Sequence, residues 1–357
     1  MTANLLLIGG GHAHVTALRW LQKHPCPDVS ITLINPRAYA VYSGMVPGFV
    51  AGHFSRSEVE IDLGRLCTDS GADIIHDSII DLDPIRKRAM GQSGKTYSYD
   101  LASVDVGIVS APPSVSDSKM DLIVKPMSPF VEAWDQVSEN LSGGVAIVGG
   151  GLGGVELAFA VRHKMRSNGL PDTVPVSLVD QSKILSASSP SLRRALRKKL
   201  TSGCVDTEVR GHYDGRLELA SGQSLTAQLV LWTAGGRAHD WLAQSGLKAR
   251  NGFPVVAASL QSISHPDIFI VGDAASLSDK HVPKAGVYAV RQGPVLMQNM
   301  IAKSRGAPLQ DFAPQKDYLK LVSLGKRAAI AEKWGLTVQL PGLWDLKTWI
   351  DRSFVQD

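Results

Sequence analysis

Residues 145–156 read VAIVGGGLGGVE, and this stretch decides the fold of the chain. Four apolar residues lead into Gly149, Gly151 and Gly154, and residues that favour helix follow. The pattern predicts a buried parallel strand that turns sharply into a helix. The first glycine would make the turn, the second would let the backbone approach a pyrophosphate, and the third would let helix and strand pack closely. The N–H groups of the helix N-terminus would face the phosphates.

The chain begins with a second copy of this pattern. Residues 5–11 read LLLIGGG, so Gly9 and Gly11 have the same spacing as the first two glycines of the later turn. His14 stands where the third glycine would be, which weakens the argument for close packing but leaves the phosphate argument intact. We assign His12 to the phosphate turn, and a catalytic role for the two histidines is the less favoured alternative.

The residue that ends the second strand of such a unit normally binds the adenosine ribose. Asp180 has this position after the later turn and can accept both ribose hydroxyls. No arginine follows directly, so NADH is favoured over NADPH there, although Lys183 keeps NADPH open. Asn35 has the position after the earlier turn, and its amide carbonyl can still accept a hydroxyl hydrogen bond.

A further apolar strand, IFIV, ends in Gly272 and Asp273. A Gly-Asp pair is common in turns, but after two nucleotide turns we interpret it as a cofactor contact at the carboxyl edge of a sheet. Residues 282–289 (VPKAGVYA) then open a helix, and its N-terminal dipole could face developing negative charge.

Three other regions complete the predicted organisation. Residues 39–52 (YAVYSGMVPGFVAG) form either an irregular connection under the sheet or a loop that packs on a flat ligand. Residues 111–120 form a proline-bearing link and the first domain boundary. Strands near residues 205–209, 217–219 and 229–233 complete the second sheet.

Composition narrows the class of protein. The chain has 357 residues, enough for two domains, and a net charge of +4, which does not argue for nucleic acid. We find no apolar run long enough to span a membrane and no room for a signal peptide. The three cysteines are far apart and odd in number, so we expect no disulfide framework, no metal site and a cytoplasmic location.

The C-terminal stretch, residues 318–354, is rich in aromatic residues. If this stretch is a helix, one of its faces carries the apolar side chains of Leu343, Leu346, Ile350 and Phe354. The charged side chains of Lys347, Asp351 and Arg352 lie elsewhere on the helix. We expect the apolar face to pack on its own protein. The alternative is a partner, or weak peripheral binding to the inner face of a membrane.

With these motifs in order, the chain resembles the flavoproteins with two dinucleotide-binding domains, the pyridine nucleotide–disulfide oxidoreductase superfamily. The resemblance covers the whole length. The stretches GGGHAHV, YSGMVPGFVAGH, GGGLGGVELA and VPKAGVYAVRQGPVL are most similar to the flavoprotein found beside, or fused to, selenide, water dikinase. Type II NADH dehydrogenases are the next relatives.

The resemblance implies two cofactors. The residues that would hold FAD are Gly9, Gly11, His12, Asn35, Gly272, Asp273, Gly286, Val287 and Tyr288. Those that would hold NADH are Gly149, Gly151, Gly154 and Asp180. The expected catalytic residues are Glu156, which matches an acid beside the nicotinamide, Pro47, beside the flavin ring, and Lys284. A plain exposed helix acid is the alternative for Glu156.

The chain departs from these families at three places. Ser43 and Gly44 stand where a redox cysteine would be, so a thiol relay is not expected. Val287 and Arg291 stand where two quinone-binding glutamines are usual, which argues against quinone as acceptor. Asp105 begins a DVG sequence in place of Ala-Thr-Gly, a change the sequence does not explain.

We therefore predict an α/β protein of two doubly wound, Rossmann-like domains with a small C-terminal α+β section. The FAD domain is discontinuous (1–112 and 250–310), the NAD(P)H domain covers 118–249, and the C-terminal section covers 311–357. The predicted function is an FAD-dependent NAD(P)H:acceptor oxidoreductase without a redox cysteine. The alternatives are a flavoprotein acting on selenium or sulfur species for a selenophosphate synthetase partner, and a non-enzymatic flavin redox sensor. The electron acceptor and the oligomeric state stay open, with quinone and a homodimer among the options.

Overall fold

The computed structural model of the protein describes residues 2–110, 120–200 and 203–356. The α-helices are α1 (His12–Lys23), α2 (Val46–Val50), α3 (Arg56–Val59), α4 (Leu63–Ser70), α5 (Met127–Val137), α6 (Leu152–Ser167), α7 (Pro190–Lys199), α8 (Asp240–Gln244), α9 (Gly286–Ser304) and α10 (Leu343–Gln356). The strands are β1 (Ala3–Ile8), β2 (Val29–Ile34), β3 (Tyr39–Val41), β4 (Glu60–Asp62), β5 (Asp73–Ile75), β6 (Ile79–Asp83), β7 (Arg88–Gly91), β8 (Thr96–Ser98), β9 (Leu101–Val104), β10 (Asp121–Ile123), β11 (Val145–Val148), β12 (Val176–Asp180), β13 (Gly203–Asp206), β14 (Val209–Tyr213), β15 (Arg216–Leu219), β16 (Ser224–Thr226), β17 (Leu229–Trp232), β18 (Ala249–Arg250), β19 (Phe253–Val256), β20 (Ile268–Ile270), β21 (Ser276–Leu277), β22 (Lys320–Leu324), β23 (Lys326–Lys333) and β24 (Leu336–Val338).

The chain divides into two compact units. The first unit comprises Met1–Ala40, Glu60–Ile108 and Arg237–Lys316, and the second comprises Val41–Val59, Val109–Gly236 and Asp317–Asp357.

The first unit contains a parallel sheet in the order β20-β9-β1-β2-β5. In its central strand β1, the apolar residues 5–8 are buried, as is typical of a parallel sheet that helices cover on both faces. Strand β20 pairs with β9 although some 160 residues separate them in the chain. The first domain is therefore discontinuous, as predicted.

The second unit repeats this plan. Its parallel sheet has the order β10-β17-β11-β12-β13, with the fully buried β11 in the centre. A three-stranded antiparallel sheet interrupts each parallel sheet at the same point in the chain order, β6-β7-β8 in the first unit and β14-β15-β16 in the second. The predicted fold class of two doubly wound α/β domains is confirmed.

One strand assignment is corrected by these sheets. The regions near 205–209, 217–219 and 229–233 are expected in one second sheet, but they divide between two sheets. Strand β15 belongs to the antiparallel sheet, where Leu217 and Leu219 are buried and Glu218 between them is exposed. This alternation is typical of a sheet with one solvated face.

The unit boundaries differ from the predicted domain boundaries. Residues 41–59 and 317–357 belong to the second unit, and residues 237–249 belong to the first. Apolar packing explains the first difference, because Met45 and Trp344 share one hydrophobic cluster with the β11 residue Ile147. The predicted link at 111–120 lies, except for its last residue, outside the described residues.

Two further expectations concern loops and membranes. Residues 43–50 are helical, since a 3-10 turn (Ser43–Met45) runs directly into α2, so this region is not an irregular connection.

The antiparallel strands β22-β23-β24 and helix α10 form the predicted C-terminal α+β section. Within the described chain, no helix is both long enough and apolar enough to cross a bilayer.

Candidate functional site

The first glycine turn, residues 9–14, joins β1 to α1. Gly9 has a φ of +92°, and a Cβ there would lie 2.6 Å from the backbone oxygen of Asp105. The Gly9 N–H donates to the Ile34 carbonyl over 2.8 Å, so the turn is tied to the end of β2. Only glycine combines this backbone conformation with so close an approach.

His14 occupies the third position of the turn and is fully buried. Its Nδ1 lies 2.6 Å from the Gly9 carbonyl oxygen, and its Nε2 lies 2.8 Å from the Ser103 hydroxyl. Because a carbonyl oxygen can only accept, Nδ1 donates and Nε2 accepts from Ser103. Burial lowers the pKa of His14 to about 4, so the ring is neutral at pH 7. His14 is thus a structural residue of the turn.

The contacts of Asp105 explain why this chain has Asp-Val-Gly where related proteins have Ala-Thr-Gly. Its carboxylate accepts the N–H groups of Ala13 and His14 over 2.8 and 3.0 Å, and so caps the N-terminus of α1. Burial raises the pKa of Asp105 to about 6, with the negative charge of Asp273 adding to the rise. Hydrogen bonds to the backbone and the nearby His12 oppose that rise.

The side chains that end the second strands hold the two glycine turns in the same way. The Asn35 Oδ1 accepts the Gly10 N–H over 2.9 Å, and the Asp180 carboxylate accepts the Gly150 N–H over 2.5 Å. The Asn35 amide group also donates to the Arg37 carbonyl over 2.7 Å. One lone pair of the Asn35 carbonyl is therefore already used by the turn.

The second glycine turn, residues 149–154, joins β11 to α6. A Cβ at Gly154 would lie 1.8 Å from the Gly149 carbonyl oxygen, which is the close packing expected of a third glycine. A Cβ at Gly151 would meet nothing within 4 Å. The N-cap residue of α6 is Gly151, which has no side chain to cap the helix. The open space beside Gly151 and the N-terminus of α6 fit the approach of a pyrophosphate.

The Gly-Asp pair lies at the carboxyl edge of the first sheet. Gly272 has a φ of +62°, and its N–H donates to the Gln292 side chain of α9 over 2.6 Å. A Cβ at Gly272 would lie 2.6 Å from the Asp105 carboxylate. Asp273 follows in a short 3-10 turn and is partly exposed. The structure thus brings Asp273, Gly272 and the first glycine turn together around Asp105.

The predicted residues at the start of α9 differ in how far they are exposed to solvent. Gly286 and Val287 are partly exposed in the first turn of the helix, while Tyr288 is buried. The Lys284 ammonium donates to the Ala275 carbonyl and lies 4.0 Å from the centre of the Phe253 ring. These contacts give Lys284 a role in fastening the loop before α9.

Glu156 belongs to a network of charged groups in the second unit. Its carboxylate accepts the Ser323 N–H over 2.8 Å, and burial raises its pKa to about 6. Lys347 opposes this rise through its positive charge. The Lys347 ammonium donates to the Gly44 carbonyl over 2.8 Å and to Asp351 over 2.6 Å. The alternative of a plain exposed acid is therefore wrong for Glu156.

Helix α10 presents a different face to its unit than the sequence pattern predicted. Trp344, Lys347 and Asp351 are buried, whereas Leu346 and Ile350 are each 39% exposed. Lys347 and Asp351 form an ion pair, which offsets the cost of burying their charges. The Tyr42 side chain also contacts Asp351. The prediction that the apolar stripe packs on its own protein is wrong for Leu346 and Ile350. Phe354 does pack on its own protein, because its half-buried ring lies 4.5 Å from the Tyr42 ring.

Pro47 is buried at the start of α2, which packs on α6 in the second unit. The helix carrying Pro47 and the helix carrying Glu156 are thus neighbours. Helix α2 follows directly on Ser43 and Gly44, where the redox cysteine of related proteins would be expected. Pro47 is therefore a buried residue of a helix that packs against the helix of Glu156.

Comparison with known proteins identifies the family. Residues 3–293 match the profile of the pyridine nucleotide-disulphide oxidoreductases. The chain belongs to this family. Its members bind FAD and NADH or NADPH, and they pass electrons from NAD(P)H to acceptors, so the predicted enzyme class and cofactors are confirmed.

Relatives of this oxidoreductase point to the same class. The chain is 26% identical to the NADH dehydrogenase-like protein YutJ of Bacillus subtilis over 347 residues, covering 94% of this chain and 93% of the relative. It is 22% identical to a type II NADH:quinone oxidoreductase of Staphylococcus epidermidis over 344 residues, covering 86% and 84%.

Solved structures share the fold at lower identity. The sulfide:quinone oxidoreductase of Aquifex aeolicus superposes with a TM-score of 0.79 at 18% identity, covering 99% of this chain and 91% of that one. The water-forming NADH oxidase of Lactobacillus brevis, bound to NADH, superposes with a TM-score of 0.75 at 18% identity, covering 93% and 75%.

The cysteines of this oxidoreductase are not paired with one another. Cys67 is buried in α4, and burial raises the pKa of its thiol to about 12 with help from the charge of Asp73. A thiol in that state is a poor nucleophile at neutral pH. Among the described residues, no group of three or more His, Cys, Asp or Glu side chains could hold a metal ion.

Sequence reasoning missed the residues that act through long-range contacts, namely His14, Asp105, Tyr42, Lys347 and Asp351. A signal existed for one of them. Asp105 was visible as a departure from the family motif, and a carboxylate next to a helix N-terminus is a standard cap. Nothing in the local pattern of α10 marks its charged face as the buried one.

Proposed function

We propose that the chain is an FAD-dependent NAD(P)H:acceptor oxidoreductase in which the first unit binds FAD and the second binds NADH. The observation that carries this proposal is the repeated turn. In both units a glycine turn follows the central strand, and the side chain ending the next strand holds the second N–H of that turn. Two such turns in one chain are suited to two dinucleotides.

The residues divide between the two cofactors as the sequence predicts. In the proposal FAD contacts Gly9, Gly11, His12, Asn35, Gly272, Asp273 and the start of α9 at Gly286, Val287 and Tyr288. NADH contacts Gly149, Gly151, Gly154 and Asp180. When bound, FAD supplies the chemistry of accepting a hydride and returning electrons to an acceptor, which no side chain can do.

Glu156 would hold and exchange a proton in this reaction. A carboxyl group with a pKa of about 6 changes protonation near physiological pH, as an acid–base group must. The Ser323 N–H fixes the position of the carboxylate, and Lys347 stabilises its charged form. Pro47 lies on the neighbouring helix α2, and in the proposal it shapes the flavin's surroundings.

We further propose that the electrons leave without a cysteine relay. Ser43 and Gly44 occupy the expected position of the redox cysteine, and the buried thiol of Cys67 is protonated at neutral pH. The acceptor is then a small molecule or a partner. Relatives named as quinone reductases support quinone, whereas Val287 and Arg291 in place of the usual glutamines speak against it.

A selenium or sulfur species is the second candidate acceptor. Its support is the resemblance of four stretches to the flavoprotein beside selenide, water dikinase, which would also make a selenophosphate synthetase the partner. For either acceptor we propose a cytoplasmic protein. The exposed side chains of Trp349, Leu346 and Ile350 on α10 would permit weak peripheral contact with a membrane.

Stopped-flow spectroscopy tests the proposal. Purified protein loaded with FAD should lose its yellow colour on mixing with NADH, and one of quinone, oxygen, selenite or polysulfide should restore it with multiple turnover. Failure of NADH to bleach the flavin would refute the proposed function. Bleaching without turnover on any acceptor would instead support a redox sensor.

The Glu156→Gln variant tests the acid–base role. The wild-type rate of flavin reduction or reoxidation should change with pH around an inflection near 6, and the variant should lack that inflection. Asp345→Asn on the exposed side of α10 is the matched control and should keep the profile. An inflection near 6 that survives in Glu156→Gln would assign the titration to another group.

A further inference from the structure

A pocket of about 250 Å³ opens beside α6 in the second unit, away from the glycine turn. Its lining includes the apolar side chains of Phe159 and Leu324 and the basic side chains of Arg162, Arg166, Lys199 and Lys326. These residues come from α6, the end of α7 and the β22–β23 turn. Three segments far apart in the sequence thus bring positive charge to one cavity.

The β22–β23 turn forms one wall of the pocket, and two contacts fix its position. Gly325 has a φ of +78°, and a Cβ there would lie 2.1 Å from the Phe159 carbonyl oxygen of α6. His53 Nε2 lies 2.6 Å from the Gly325 carbonyl oxygen, which fastens the turn from its other side. Lys326 therefore follows a turn whose backbone position is set by packing and a hydrogen bond.

Arg162 is the buried element of the pocket, with 6% of its surface exposed. Its Nη1 donates to the Val174 carbonyl over 2.8 Å, but its Nε is buried and has no acceptor among the described residues. Burial lowers the pKa of its guanidinium, which nevertheless stays charged at neutral pH. A buried charged donor without an acceptor is costly unless a ligand supplies one.

Few acidic groups balance this charge. Arg166 forms a bidentate pair with Asp172 at 2.7 and 2.9 Å. Arg162, Lys199 and Lys326 have no carboxylate within ion-pair distance in the described part of the chain. Burial lowers the pKa of His163, which also lines the pocket, so its ring is neutral at pH 7. The net charge of the cavity is positive.

We propose that this pocket binds the phosphoryl group of a ligand that also has an apolar part. Arginine and lysine donors around one cavity suit the several acceptor oxygens and the negative charge of a phosphoryl group. The volume exceeds the roughly 30 Å³ that one water occupies, which leaves room beside the phosphoryl group along Phe159 and Leu324. Leu336 of β24 and Leu340, which follows that strand, are 70% and 60% exposed.

Such a ligand could be a soluble phosphate ester or the head group of an anionic phospholipid. Binding of inorganic phosphate and of glycerol 3-phosphate to the full, FAD-loaded chain should be measured by calorimetry at constant ionic strength. Flotation with phosphatidylglycerol vesicles and with phosphatidylcholine vesicles should be measured in parallel. Saturable binding of the small phosphates without flotation indicates the ester, and flotation with phosphatidylglycerol alone indicates the lipid.

The Lys199→Ala, Lys326→Ala double variant should weaken whichever interaction is found by about tenfold. Arg194→Ala is the matched control, because this exposed arginine lies on α7 outside the pocket lining, and it should change binding less than about twofold. NADH-dependent turnover with a soluble acceptor should be the same in all these proteins.

A second pair of variants tests the buried arginine. Arg162→Gln should lose binding, and Arg162→Lys should keep part of it, with circular dichroism confirming that both are folded. The proposal is overturned if neither phosphates nor anionic vesicles bind saturably. It is equally overturned if the double lysine variant behaves like Arg194→Ala.

Discussion

The two glycine turns begin from the same sequence pattern but differ at their third position. In the second turn, Gly154 packs so closely that a Cβ would lie 1.8 Å from the Gly149 carbonyl oxygen. In the first turn, His14 stands at that position and its Nδ1 lies 2.6 Å from the corresponding Gly9 carbonyl oxygen. The same carbonyl is approached by a helix backbone in one unit and by a histidine ring in the other. A hydrogen bond thus replaces close packing.

The turns also differ where a pyrophosphate would approach. A Cβ at Gly151 would meet open space, but a Cβ at Gly11 would lie 2.3 Å from the Asp105 side chain. Asp105 already accepts two N–H groups at the start of α1, whereas the N-cap residue of α6, Gly151, has no side chain to cap that helix. The space beside Gly151 is thus open, whereas the N–H groups of Ala13 and His14 in the first unit already have a carboxylate acceptor.

Gly154→Ala should have the largest effect. The added methyl group would collide with the backbone, so we expect the free energy of unfolding to fall by about 3 kcal/mol or more, together with loss of NADH binding. Gly153→Ala, one residue earlier and with nothing within 4 Å of its Cβ, should unfold within about 1 kcal/mol of the wild type. Urea unfolding measures both. Equal stability of the two variants would contradict the close-packing account.

His14 should make the first turn sensitive to acid. The folded protein binds this proton less tightly than the unfolded chain, so stability falls as the pH drops from 6.5 to about 4. The full loss is about 3 kcal/mol. His14→Ala should cost about 3 kcal/mol at pH 7 through lost contacts and should remove this pH dependence. Unfolding curves from pH 7 to pH 4 compare the two proteins, and an unchanged slope in the variant would place the acid sensitivity elsewhere.

Gly151→Ala should separate binding from stability. Since the added methyl group meets no protein atom within 4 Å, the free energy of unfolding should stay within about 0.5 kcal/mol of the wild type. The methyl group would occupy the space proposed for the pyrophosphate, so the dissociation constant for NADH should rise about tenfold, or 1.4 kcal/mol. Titration of NADH fluorescence measures it. Unaltered NADH affinity would show that the pyrophosphate lies elsewhere.

Asp180→Asn should have the smallest effect, because it gives the second unit the side chain that the first unit has in Asn35. The amide oxygen can still accept the Gly150 N–H, so the turn should persist. The lost negative charge should raise the ratio of NADPH to NADH affinity by about threefold to tenfold. Competition binding at fixed ionic strength gives the ratio, and an unchanged ratio would remove Asp180 from the ribose site.

The sequence alone determined the doubly wound architecture and the order of its two units. These follow from local signals, because an apolar strand, a glycine turn and a helix lie within about 20 residues and each restricts the backbone directly. The discontinuity of the first unit was implied by the family resemblance, which assigns the Gly-Asp strand to the first sheet. Asn35 and Asp180 stand out in the sequence for the same reason, since both follow or end a recognisable strand, and their part in ribose binding stays a prediction.

Only the tertiary structure decided what surrounds the turns. Asp105 reaches the start of α1 across 92 residues of chain, and Lys347 reaches Gly44 across 303. The burial of a charged side chain depends on the partner it finds, and Lys347 and Asp351 are buried only because they find each other and the backbone. A helical pattern records which residues share a face, but the rest of the fold decides which face is covered.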